Sequence, residues 1–78
     1  MQKPHFVRAD WDEEAQVRVA EGDEVPGLAT EAATVEALIP ELKHMIPELL
    51  ELNGVPGEGE IAFEPFTRRF DRAQRAAA

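Results

Sequence analysis

Two short stretches near the start of the chain alternate between apolar and polar side chains. From His5 to Trp11, the residues Val7, Ala9 and Trp11 point one way and Phe6, Arg8 and Asp10 the other. From Ala15 to Ala20, Ala15, Val17 and Val19 share one side and Gln16, Arg18 and Ala20 the other. A period of two marks half-buried β-strands. The link Asp12-Glu13-Glu14 suits a hairpin. Pairing Trp11 with Ala15 sets Ala9 against Val17 and Val7 against Val19, which gathers both apolar sets on one face. The segment 21–27 is turn chemistry, and Leu28 to Ala33 reads as a short third strand. Thr34 then caps a helix with Glu36 in its first turn. Leu38, Leu42, Met45, Leu49 and Leu52 follow at steps of four and three, an amphipathic stripe that Val35, Ile39, Ile46 and Leu50 widen. Pro40 and Pro47 lie on its polar side, where lost hydrogen bonds let one helix bend around a sheet; two short helices are the competing reading. Asn53-Gly54 is a stop signal. Strand character returns at residues 61–64, and Pro65 must then lie at an edge, a bulge or a strand end.

The order strand, strand, strand, helix, strand predicts an α+β domain over residues 1–66. Its expected sheet order is 3-2-1-4, with the last strand parallel to the first and one bent helix on one face. Residues 67–78 form a basic C-terminal tail, read as a short helix or a frayed end. The second face of the sheet is left without a helix. Phe6, Arg8 and Arg18 are placed there, with Arg8 directly opposite Arg18. An exposed aromatic beside arginines is the composition of an interface anchor, and these three are the candidate interface. Trp11 and the other phenylalanines are read as core.

Charge and composition narrow the function. The chain has 78 residues, and eight Lys and Arg against sixteen Asp and Glu give a net charge of -8. The charge is uneven: residues 1–64 hold fifteen acids and four bases, or -11, and residues 65–78 hold one acid and four bases, or +3. Such a chain repels nucleic acid and anionic membrane on average. The tail's Arg68, Arg69, Arg72 and Arg75 form its one basic cluster, a candidate contact for nucleic acid or an acidic partner. Pairing with the protein's own acids is the plainer reading of that cluster. The sequence contains no Cys, Ser or Tyr, which excludes disulfides, thiolate chemistry, Cys-based zinc sites and serine nucleophiles. No apolar stretch approaches a membrane span and no signal peptide opens the chain, so a cytoplasmic protein is expected. A domain this small has a thin stability margin, and oligomerisation is a common remedy, so a homodimer is expected.

The residues that could carry site chemistry are poorly placed for it. Asp10, Asp12, Glu14, Gln16, Arg18 and Glu21 fit the spacing of a calcium loop, but Ala15 stands where glycine is needed and a cation occupies the ninth position. Asp10, Glu36 and Glu64 as a two-metal phosphoryl-transfer set would lie on opposite sides of the sheet. His5 and His44 lack triad partners. No enzyme activity, cofactor, metal or small-molecule substrate is expected.

The stretch Asp23-Glu24-Val25-Pro26-Gly27, then Leu28-Ala29-Thr30-Glu31 and Thr34-Val35-Glu36-Ala37, resembles HicB-type antitoxins, in which an acidic Pro-Gly turn leads through a short strand to a Thr-capped helix. The Trp11-Asp12-Glu13-Glu14-Ala15 hairpin and the helix end 48–53 look closer still to a small prokaryotic domain-of-unknown-function family with the same truncated ribonuclease-H-like fold. The likeness spans roughly residues 5–66. It implies a dimeric, non-catalytic binding module that masks a small basic, toxin-like partner protein. Many HicB-type proteins also carry a DNA-binding module; only twelve residues follow Phe66 here, too few for one.

Overall fold

The computed structural model describes residues 3–55, 57 and 59–76. Its elements run β1 (His5–Asp12), β2 (Val17–Glu21), β3 (Ala29–Ala32), α1 (Val35–Leu52) and β4 (Phe63–Arg68). One four-stranded sheet has the order β3-β2-β1-β4, with β1 antiparallel to β2 and parallel to β4. This is the expected β-β-β-α-β layout.

The helix is continuous through Pro40 and Pro47, both of which face solvent. The Thr34 hydroxyl accepts a hydrogen bond from the Ala37 N–H at 3.0 Å, satisfying a donor that the first turn leaves orphaned. At the other end Gly54 takes a φ of 70°, its N–H donates to the Glu51 carbonyl, and the Val55 N–H donates to the Leu50 carbonyl. Those two bonds make a Schellman cap, which glycine enters without a Cβ penalty. The buried stripe is Leu38, Leu42, Ile46 and Leu50, a steady step of four. Met45 and Leu49 pack at its flank. Leu52, which the four-three spacing places in the stripe, is 81% exposed.

The hairpin corrects the expected register. The connection is four residues, 13–16, rather than three. The Asp12 carboxylate accepts from the Glu14 and Ala15 N–H groups, the Gln16 N–H donates to the Asp12 carbonyl, and Gln16 closes the turn with a φ of 58°. An Asp holding two of the amides that follow it is a local turn that propensity for alternation does not reveal. The observed pairs are Ala9↔Ala20, Trp11↔Arg18 and Arg8↔Glu21. This is three residues out of step with the expected pairing, and an odd slip exchanges the faces of β2. Ala20 is therefore fully buried under the helix, and Val17 and Val19 lie on the outer face. The facing alanines at positions 9 and 20 are fully buried and share the core with Leu38 and Leu42. The turn after β2 also adds buried Val25 and Leu28 to the core.

In β4, the strand begins two residues later than expected and runs through Pro65. The His5 N–H donates to the Ala62 carbonyl, so odd-numbered residues of β1 bond towards β4 and even-numbered residues of β4 bond back. Pro65 is odd, and its missing N–H falls on the free edge of the sheet, where proline is tolerated. Residues 69–76 carry no regular secondary structure, so the helical reading of the tail does not hold there.

Candidate interaction face

Neighbouring strands place registered residues on the same face of a sheet. The helix-facing side carries Val7, Ala9, Ala20 and Phe63. The other side carries Phe6, Arg8 and Asp10 from β1, Val17, Val19 and Glu21 from β2, Glu31 from β3, and Glu64, Phe66 and Arg68 from β4. Among the described residues no element covers this outer side.

Phe6 sits there as expected, 49% exposed. Its neighbour is Phe66, expected in the core but placed on the outer face because β4 runs on past Glu64. Phe66, 39% exposed, meets it edge-to-face with ring centroids 6.3 Å apart and planes at 76°. Parity places it there: with Phe63 facing the helix, an unbroken strand must present Phe66 on the other side. The Phe6 N–H lies beyond the last β1–β2 pair and is taken by the Glu24 carboxylate at 2.9 Å, which ties the turn to the start of β1.

Arg8 shares this face, and the expected Arg8–Arg18 opposition is replaced. Arg8 faces Glu21 and reaches the carboxylates of Glu21 at 3.5 Å and Asp23 at 3.4 Å. Both pairs are exposed, so each contributes little stability. Arg18 is on the helix-facing side, opposite Trp11, because of the register change. A shallow depression between β1 and β2 is lined by Arg8, Asp10, Asp12, Glu13, Val19 and Glu21. Within the face one Asp10 carboxylate oxygen is shielded from solvent and has no hydrogen-bond partner among the described residues.

Trp11 does not join the core. It lies half-buried at the end of the sheet beyond the helix start, flanked by arginines from both sides. The Arg18 and Arg69 guanidiniums stand 5.3 Å and 4.8 Å from its ring centre, and its Nε1–H donates to the Glu13 carboxylate at 2.7 Å. Arg69 also pairs with Glu13 at 3.9 Å, and Arg18 donates to the carbonyls of Ala9 and Arg68. The tail cluster is thereby divided. Arg69 is engaged at Trp11 and Arg72 stacks 5.2 Å from the Phe70 ring. The Arg68 and Arg75 side chains make no ion pair among the described residues. Phe70, expected in the core, is 81% exposed.

The residues weighed for metal chemistry stay apart. Asp10 and Glu64 are on the outer face and Glu36 is in the first turn of the helix on the other side. His44 pairs with Glu48 one helical turn on, at 3.6 Å. No helix among the described residues is long and apolar enough to cross a membrane.

Comparison with known proteins gives the chain a family and no activity. No curated protein sequence matches it. Its structure is similar to the crystal structure of a hypothetical protein from the extremely thermophilic bacterium Thermus thermophilus. The two are 50% identical with a TM-score of 0.78, and the match covers 90% of this chain and 99% of that one. The family described as a domain of unknown function, DUF1902, matches residues 5–75. With the whole sheet, the helix and the arginine tail inside that match, the chain belongs to the DUF1902 family.

Proposed function

We propose that the chain is a non-catalytic protein-interaction module, akin to HicB-type antitoxins, that works as a homodimer and masks a small basic partner protein. The open sheet face carries this reading. It presents the Phe6–Phe66 pair to solvent on one side of a sheet whose other side is closed by the helix. Exposed aromatics at the centre of a concentrated patch are what association buries. Self-association over this pair leaves Glu14 at the hairpin tip and the polar side of the helix available to the partner. A body of charge -11 draws a basic protein towards it and speeds their encounter.

Expression alongside a basic protein encoded beside it tests the reading. The expected result is a complex that co-elutes in gel filtration and relieves the growth arrest caused by the basic protein alone. A basic protein that stays unbound and equally toxic contradicts it.

A second reading, nucleic-acid contact through the tail, is favoured by the side chains of Arg68 and Arg75, which form no ion pair among the described residues. It requires an affinity that falls steeply with salt and is lost in Arg68→Ala/Arg75→Ala. Fluorescence anisotropy with labelled single-stranded RNA that shows no binding at low salt removes it.

A further inference from the structure

We infer that the C-terminal arm, residues 69–76, docks on the open sheet face of a second copy of this chain. This rests on the homodimer reading above and assigns it a second contact.

The first observation is shape. A compact chain of this length has a radius of gyration of about 11–12 Å. Here it is 15.7 Å, and the molecule measures 61 × 28 × 19 Å. Residues 69–76 are exposed throughout and carry no regular structure, so the arm does not pack back over the sheet. Its root is held: Arg69 is stacked on Trp11 and paired with Glu13. Past that anchor the arm presents Phe70, 81% exposed, with the Arg72 guanidinium 5.2 Å from its ring. An aromatic and a cation held together on an extended segment bury nothing in their own molecule. Eight extended residues reach about 26 Å, the length of β1.

The second observation is complementarity. Past the Arg69 anchor, residues 70–76 hold two arginines and one aspartate, a charge of +1. The outer face holds Asp10, Asp12, Glu21, Glu31 and Glu64 against Arg8 and Arg68, a charge of -3. Between the carboxylates it offers half-buried Val17 and Val19 and the shielded Asp10 oxygen that lacks a hydrogen-bond partner among the described residues. An arm that supplies guanidiniums and one phenyl ring matches both features. The arm cannot reach this face of its own molecule without reversing at its anchor, whereas a two-fold arrangement lets each copy supply an arm to the other. The anchor also sets the arm's direction before association, which lowers the ordering cost of docking.

The chain has no cysteine, so Ala76→Cys provides a unique site for a nitroxide label. Labelled, isotopically unenriched protein mixed with unlabelled, nitrogen-15-enriched protein reports contacts between copies alone. The expected result is broadening of the Val17, Val19 and Glu21 amides of the enriched copy. The double variant Phe70→Ala/Arg72→Ala, both positions exposed, should keep the same far-ultraviolet circular dichroism spectrum and raise the dimer dissociation constant at least tenfold in sedimentation. No broadening between copies, or an unchanged dissociation constant, overturns the inference. If the dimer then still dissociates on Phe6→Ala, the homodimer reading stands without the arm; if the wild-type chain is monomeric at every concentration, both fall together.

Discussion

Leu42 and Leu52 offer the same side chain on the same helix at opposite extremes of burial, and truncating each to alanine tests how the helix sits on the sheet. Leu42 is fully buried, and Leu52 is 81% exposed. Removing a buried leucine side chain costs about 2–5 kcal/mol, and a site enclosed by sheet and flanking helix turns supports about 3 kcal/mol. Full burial of a leucine contributes about 1.5–3 kcal/mol, and Leu52 retains roughly a fifth of it, or about 0.3–0.6 kcal/mol. Alanine's better helix propensity offsets about 0.2 kcal/mol of that loss. In a domain this small, a change of about 1 kcal/mol moves the thermal midpoint by about 4–8 °C. Leu42→Ala should therefore lower the midpoint by about 12–24 °C, and Leu52→Ala by less than about 4 °C. Circular dichroism in the far ultraviolet during heating, repeated with urea, reads both. Comparable losses in the two variants would refute the stripe at 38, 42, 46 and 50 and restore the four-three stripe through Leu52.

Three further outcomes follow from the caps and the tryptophan. Thr34→Ala removes the acceptor for the Ala37 N–H and should cost about 1 kcal/mol in urea unfolding, with the helix otherwise intact. Gly54→Ala should cost a similar amount, about 1 kcal/mol. Nothing lies within 4 Å of the added Cβ, so the loss comes from the φ of 70° alone, and Gly54→Asn should recover part of it. Trp11 is the sole tryptophan in a chain without tyrosine, so its fluorescence is an isolated signal. Arg69→Ala should shift the emission to the red as the ring gains water, with a stability loss of about 0.5–1 kcal/mol, and an unchanged spectrum would contradict the stacking.

The elements, their order and the sheet arrangement follow from period and cap signals that are local in sequence: Thr34 and Asn53-Gly54 bracket the helix as expected, and Phe6 faces away from it by simple parity. The departures arise where a few specific hydrogen bonds outrank the pattern. Asp12 captures two amides and lengthens the hairpin turn, which moves Ala20 into the core and Val17 and Val19 out of it. Val25 is buried from within a segment of turn residues and Leu28 from just before β3, because the turn folds back against the helix end, where the Asn53 side chain donates to the Pro26 carbonyl at 3.3 Å. The candidate face was legible in part. Phe6 and Arg8 follow from the alternation of one strand. Phe66 depends on β4 continuing through a proline, and the displacement of Arg18 to Trp11 depends on the turn. Arg69 is brought to Trp11 by the parallel pairing of β1 with β4, far apart in the sequence, where no periodicity operates.

The proposed dimer rests on the outer face as a surface that two copies share. Sedimentation velocity of the full chain and of Phe6→Ala across micromolar to millimolar concentrations addresses it most directly, since Phe6 lies outside the core. The full chain should sediment as a dimer, twice its 8.7 kDa mass, and Phe6→Ala should shift to monomer over the same range with an unchanged far-ultraviolet circular dichroism spectrum. A wild-type chain that remains monomeric throughout, or a Phe6→Ala dimer as tight as the wild type, would contradict it.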